Sequence, residues 1–91
     1  SRSQYTEGVA VTTEELQPGD LVFFARGRNP ESIYHVGMVV EADGHGNFKF
    51  IHSANTGVCV TSSTEDYYAR HYYGARRILA NPGERVTDTE E

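Results

Sequence analysis

Two histidines, His35 and His52, stand in segments whose residue types suit β-strands, and a pair of imidazoles on one strand face can carry out acid–base chemistry. Strand side chains alternate between faces, so His35, Gly37 and Val39 point one way while Val36, Met38 and Val40 point the other. On the next segment Phe48, Phe50 and His52 share a face. If Asp43-Gly44-His45-Gly46 closes the hairpin as a four-residue turn, paired residues have numbers summing to 89. Gly37 then lies opposite His52 and His35 diagonal to it, about 7 to 8 Å away at Cα, with both rings on one face. Gly37 removes the side chain that would crowd them. A one-residue bulge would break the arrangement.

In such a pair one imidazole takes a proton from a nucleophile and the second fixes its tautomer, a task usually given to a carboxylate. A neutral imidazole supports the resulting cation less, which suits a thiol more than a hydroxyl because thiols ionise near about pH 8.5 unaided. The expected nucleophile is a cysteine, and the chain has one, Cys59. It lies between Val58 and Val60 on a short predicted strand, not at a helix N-terminus where a thiolate is stabilised, and reads as a small apolar filler. A lone strand histidine is more often semi-buried and satisfied by backbone than catalytic, and that reading stays open for each ring. A metal site using His35, His52 and Cys59 is a weaker alternative. No cofactor is expected. His45 reads as a solvated turn residue and His71, beside tyrosines, as packing.

The elements that must position these residues are short and punctuated by Gly, Pro, Asn and Asp. Ser1 to Val11 is polar with a break at Gly8. Thr12 to Leu16 predicts one helical turn in which Thr12 caps and Glu15 reaches back, and Pro18-Gly19 predicts a tight turn. Leu21-Val22-Phe23-Phe24 is an unbroken apolar run, which predicts a strand covered on both faces. After a polar loop containing Arg26 and Arg28, strands are expected over Tyr34 to Ala42, Asn47 to Ser53 and Val58 to Val60, with Asn55-Thr56-Gly57 as a turn. Ser63 or Thr64 is expected to cap a short helix through Tyr72, and Gly74 to release a last strand, Ala75 to Leu79. Tyr67, Tyr68, Tyr72 and Tyr73 read as core and rim. The fold class is α+β, dominated by an antiparallel sheet meander with short helices.

With 91 residues the chain supports one domain with a small core. Residues 1–80 form that domain, and 81–91 are expected to be a disordered acidic tail. The net charge is −5, three of it in that tail, so residues 1–80 carry about −2 and lack the basic surface that nucleic-acid binding requires. A single cysteine excludes an intrachain disulfide and any multi-cysteine zinc site. No apolar stretch is long enough to span a bilayer. The first residue is not Met, and the chain reads as a piece of something longer.

Four blocks occur in order: Leu16-Gln17-Pro18-Gly19-Asp20-Leu21-Val22-Phe23-Phe24, His35-Val36-Gly37-Met38-Val39, Phe50-Ile51-His52-Ser53 and Gly74-Ala75-Arg76-Arg77. Together they resemble the C-terminal portion of an NlpC/P60 domain, over about residues 1–79. The resemblance implies a papain-like cysteine peptidase of the bacterial cell wall, cleaving peptidoglycan stem peptides between D-γ-glutamyl and a diamino acid. By position, His35 resembles the family's catalytic base and His52 the third polar residue that orients it. The family's nucleophile, in an Asp-Cys-Ser-Gly block at a helix start, and an oxyanion-stabilising tyrosine lie upstream of the first block, and neither is in these 91 residues. Ser1 to Tyr5 resembles the segment after that helix.

The N-terminal helical half is therefore expected to be absent and the chain inactive by itself. A place in the periplasm, cell envelope or extracellular space is implied by the resemblance alone. Arg26 and Arg28 are candidates for meeting the carboxylates of an anionic muropeptide, beside their reading as solvated loop residues. A non-catalytic wall-peptide or protein-binding module of the same fold is the alternative function. Without an upstream helix, the face carrying Phe48, Phe50 and the histidines is expected to lose its cover and to promote self-association.

Overall fold

The apolar run from Leu21 needs cover on both faces, and the computed structural model, which describes residues 8–78, places it in the middle of a six-stranded antiparallel sheet. The strands are β1 (Val9–Val11), β2 (Leu21–Ala25), β3 (Ile33–Ala42), β4 (Phe48–Ala54), β5 (Gly57–Ser62) and β6 (Tyr72–Arg77), in the order β1-β6-β2-β3-β4-β5. Val22, Phe23 and Phe24 are completely buried, as the uninterrupted run predicts. Single 3-10 turns, Thr13–Glu15 and Pro30–Ser32, flank β2, and one α-helix, α1 (Asp66–His71), joins β5 to β6. In the first turn Glu15 Oε1 accepts the Thr12 N–H at 3.1 Å, the expected reach-back of a capping box.

The core is a cluster of Leu16, Val22, Phe24, Val39, Phe48, Phe50 and Ala75. Phe24 and Phe50 pack with ring centroids 5.1 Å apart, and Tyr68 of α1 closes over both, each at 5.2 Å and edge-on. Burying one such ring contributes about 2 to 3 kcal/mol. The expectation of an uncovered histidine face is thereby corrected: α1 roofs it, leaving Phe48 at 5% and Phe50 at 0% exposure. The exposed apolar residues of these strands, Met38, Val40, Val58 and Val60, include several on the opposite face.

Several boundaries differ from the expected ones for identifiable reasons. β1 is added to β6, Val9 opposite Arg77, by a pairing between distant segments that no local signal announces. β6 begins at Tyr72 and contains Gly74, so Gly74 is not the release point. α1 starts after Glu65 without a side-chain cap, because Ser63 Oγ accepts the Phe48 N–H at 3.0 Å and Ser62 Oγ bonds Thr64. Leu79 and the acidic segment 81–91 lie outside the described residues. Among the described residues no helix is long and apolar enough to cross a membrane.

The first and last sequence blocks meet in a buried ion pair. Asp20 is only 2% exposed and remains charged because Arg77 grips it twice, Nε to Oδ1 at 2.8 Å and Nη2 to Oδ2 at 2.9 Å. Arg77 also donates to the Glu15 carbonyl at 3.0 Å, and the Gln17 N–H donates to Asp20 Oδ2 at 2.9 Å. The Asp20 backbone joins in, its carbonyl accepting the Val39 N–H at 2.8 Å. Asp20 thus fastens the Pro18-Gly19 turn to β6 through its carboxylate and to β3 through its backbone carbonyl.

The Arg77 hydrogen bonds, more than any other cause, hold the Asp20 carboxyl below its usual 3.8, against an opposing push from burial. A carboxyl so depressed contributes stability that is complete above the unfolded value and is lost as pH falls through the lower folded one. Asp20→Asn leaves Arg77 without its counter-charge and is expected to reduce stability by about 3 kcal/mol at neutral pH. Urea melts at neutral and acid pH check both points: the difference between wild type and variant should shrink as the pH drops below 3.8. A difference independent of pH would count against the ion pair as its source.

Candidate functional site

The placement of His52 depends on how β3 and β4 are registered. Met38 pairs with Ile51 and Val39 with Phe50, the register expected from the sequence, but Glu41 pairs with Lys49 and Ala42 with Phe48, one residue out of step. The connection is a five-residue loop, Asp43 to Asn47, not a four-residue turn. Asp43 Oδ1 accepts the N–H groups of His45 (2.7 Å) and Asn47 (3.1 Å), and its own N–H donates to the Asn47 carbonyl, which draws Asn47 into the loop. Gly44 and Gly46 supply the positive φ angles, 77° and 105°, that the loop requires. A bulge at Val40 then absorbs one residue and restores the expected register at the histidines. With the longer loop and no bulge, His52 would fall opposite Met38, on the wrong face.

The consequence is direct contact. His35 Nε2 and His52 Nδ1 are 2.8 Å apart, the rings edge to face with centroids 5.0 Å apart. Gly37 makes this possible: a Cβ there would stand 2.6 Å from Phe50 Cδ2, 3.1 Å from the Ile51 carbonyl oxygen and 3.4 Å from His52 Cβ. Phe24 and Tyr68 flank His35, while Phe50 and Tyr68 flank His52. His52 is 5% exposed. Its second nitrogen, Nε2, is 2.8 Å from Thr61 Oγ1 and 3.7 Å from Cys59 Sγ, both on β5. Nδ1 of His35 has no hydrogen-bond partner among the described residues.

Burial disfavours the cationic form of both rings. Burial pushes the pKa of His35 below its usual 6.5, and burial followed by the charge of His35 does the same to His52, with a weaker opposing pull from Glu65. A neutral His35 whose Nδ1 is unprotonated can accept a proton there, and the resulting cation keeps its Nε2–H on His52 Nδ1. His35 also lines a groove of about 440 Å³ with Tyr34, Ser53, Ala54, Asn55, Thr56, Tyr67 and Tyr68. One groove wall is fixed by the phenols of Tyr34 and Tyr67, whose oxygens are 2.7 Å apart.

The other candidates fall in different places. Cys59 reads from the sequence as an apolar filler, but it pairs with His52 across the strands and directs its thiol to polar neighbours on the histidine face. The two-residue turn Asn55-Thr56 produces that register, because Gly57 begins β5 and is not part of the turn. The same register brings Thr61, opposite Phe50, into the site, a residue that the sequence reading passed over.

Arg26 is exposed and lies over the Tyr34 ring at 4.1 Å, one residue from the groove. Arg26 and Arg28 both line a separate hollow with Arg70 and His71, neither lines the His35 groove, and the Arg28 carbonyl accepts from the Tyr73 hydroxyl. His71 packs on Tyr67, its Nδ1 donating to the Tyr67 carbonyl, and His45 is exposed in the loop. Among the described residues no three His, Cys, Asp or Glu side chains are grouped to hold a metal ion. The facing histidine nitrogens, at 2.8 Å, leave no room for an ion between them.

Comparison with known proteins adds to this geometry. The sequence profile of the NlpC/P60 family matches residues 1–77. The chain is 45% identical over 76 residues to the murein DD-endopeptidase MepH of Escherichia coli K12, a match covering 80% of this chain and 26% of that protein. It is 39% identical over 79 residues to a γ-D-glutamyl-L-lysine dipeptidyl-peptidase of Bacillus cereus, covering 87% of this chain and 23% of that protein. A crystal structure of an NlpC/P60 family protein from Bacillus cereus superimposes with a TM-score of 0.68 at 40% identity, over 85% of this chain and 24% of that one. The chain therefore spans about a quarter of the length of these relatives.

Two measurements check the site. Gly37→Ala is expected to drive the Phe50 ring or the Ile51 backbone aside, to reduce stability by about 1 to 3 kcal/mol, and to separate the two imidazoles; an unchanged melt and unchanged histidine resonances would contradict the packing. In an NMR titration both rings should protonate below pH 6.5, with a parallel loss of thermal stability as the pH falls. The sign follows because the unfolded chain takes up those protons first, so the folded state is favoured fully only above the unfolded value.

Proposed function

This chain belongs to the NlpC/P60 family, and from that premise we propose that it carries the base half of a peptidoglycan-cleaving cysteine peptidase. The observation that carries the reading is the 2.8 Å bond between His35 Nε2 and His52 Nδ1, which leaves Nδ1 of His35 as the nitrogen open to a thiol. His35 is the base and His52 its orienting partner. The attacking thiol comes from outside these 91 residues, since Cys59 lies behind His52 and away from the groove that His35 lines. The substrate is a stem peptide, cut between D-γ-glutamyl and a diamino acid, as the name of the Bacillus cereus relative supports. The place of action is then the cell wall, and Arg26, whose guanidinium lies over the groove-lining Tyr34, would meet a substrate carboxylate.

The chemistry follows from the burial of the pair. A thiol approaching Nδ1 of His35 gives up its proton there, forming a thiolate and an imidazolium in contact. The neutral His52 accepts the Nε2–H of that cation but adds no negative charge, so the cation is less stabilised than beside a carboxylate. It returns its proton readily to the leaving amine. Tyr68 and Phe24 exclude water from the pair, which keeps the proton between thiol, ring and amine.

A second reading has a specific observation in its favour: Cys59 Sγ, His52 and His35 are in consecutive contact, with His52 Nε2 3.7 Å from the sulfur. In that reading His52 is the base and His35 its support. Muropeptide digestion separates the two. The 91 residues alone are expected to release no product, whereas a longer chain with an upstream cysteine should cleave. His35→Ala should then lower its rate by roughly 10² to 10⁴-fold, and Cys59→Ala should leave it unchanged. Turnover by the 91 residues that Cys59→Ala abolishes would establish the second reading instead. Defined muropeptides presenting either a γ-D-glutamyl bond or a D,D-cross-link identify the bond, and cleavage of the cross-link alone would displace the γ-glutamyl assignment.

A further inference from the structure

We infer that Thr61 is a positioning residue for the base: its hydroxyl oxygen accepts the Nε2–H of His52, which fixes the tautomer of His52 and, through it, that of His35. This rests on the reading of His35 as the base and adds a residue to it. The argument is one of counting donors. A neutral imidazole has one N–H and one acceptor nitrogen, and His52 is engaged at both within 2.8 Å, by His35 Nε2 on one side and Thr61 Oγ1 on the other. Only two wirings satisfy the row. In the first, His35 Nε2–H donates to His52 Nδ1 and His52 Nε2–H donates to Thr61 Oγ1, which leaves Nδ1 of His35 unprotonated and able to act. In the second, every donor is reversed, and Nδ1 of His35 already carries the proton it would have to accept.

Thr61 bears on the choice because a buried Nε2–H on His52 needs an acceptor. The sulfur of Cys59 at 3.7 Å is a weak one, whereas the hydroxyl oxygen at 2.8 Å is a good one. The threonine's own hydrogen has an outlet toward Cys59 Sγ, 3.8 Å away, so its oxygen can face His52 with a lone pair. The strand register holds the hydroxyl there: Thr61 pairs with Phe50, and so stands diagonal to His52 on the same face. Burial of both rings disfavours a cation that would satisfy the row by supplying an extra proton.

The test reads imidazole tautomers directly, by long-range ¹H–¹⁵N correlation on the histidine-labelled 91-residue chain above the pH at which the rings protonate. Wild type is expected to show the Nε2–H form at both His35 and His52. Thr61→Val removes the acceptor at constant shape and should shift both rings toward the Nδ1–H form, with the tautomer ratio changing roughly ten-fold for the loss of one hydrogen bond. Thr61→Ser should restore the wild-type pattern, which a purely space-filling role would not require. Backbone amide shifts of Phe50 and Ile51 report whether the sheet is intact, and Thr61→Ala serves as the second acceptor-free variant. Unchanged tautomers in the acceptor-free variant, or an Nδ1–H form of His35 in wild type, would overturn the assignment of Thr61. The readout needs no nucleophile: the expected tautomers together with an inactive longer chain would remove the peptidase reading and leave the wiring standing.

Discussion

A two-residue period governs whether the two histidines of this domain meet. Side chains on a strand alternate between faces, so the two histidines meet only if the count of residues between them has the right parity. Here the count is set by two irregularities of opposite effect: Asp43 enlarges the hairpin loop by capturing Asn47, and Val40 bulges out of β3. Neither feature touches an imidazole. Together they decide whether His52 faces His35 inside the aromatic roof or stands beside Met38 in solvent.

The sheet is held in that state from its centre. β2 is buried on both faces, and the residue before it, Asp20, is bonded to Arg77 at the far end of β6 through its carboxylate and to Val39 of β3 through its backbone carbonyl, so the Pro18-Gly19-Asp20 turn, β3 and β6 meet at one residue. The Gly-Asp-Leu-Val-Phe and Gly-Ala-Arg-Arg blocks thus supply the two halves of one ion pair. Burying a charge is unfavourable unless its partner is fixed in place, and the double grip of the guanidinium meets that condition.

What could be read from the sequence follows the same logic. Alternation together with an assumed four-residue turn puts His35, Gly37, Phe50 and His52 on one face, and the uninterrupted run at Leu21 predicts a strand covered on both faces. The histidine register agreed with the structure although the loop and the bulge were not foreseen, because the two displacements cancel. β1 and Thr61 were not legible for a different reason. Val9 meets Arg77 across the whole domain, and Thr61 reaches His52 only once Gly57 is counted as strand and not turn, a one-residue question that local propensity does not decide. The helix start was misplaced because the hydroxyls expected to cap it are engaged by β4 and by each other.

β5 lies at the edge of the sheet, bonded on one side only, with Val58 and Val60 facing outward, yet it carries both Thr61 and Cys59. The innermost support of the histidine pair is therefore supplied by one of the least protected strands. Edge strands fray at a lower free energy than central ones, and such opening is local. If β5 detached for a moment, His52 would lose its contacts with Thr61 and Cys59. Local opening of this one edge strand would therefore reach the surroundings of His52 before it reached the buried β2.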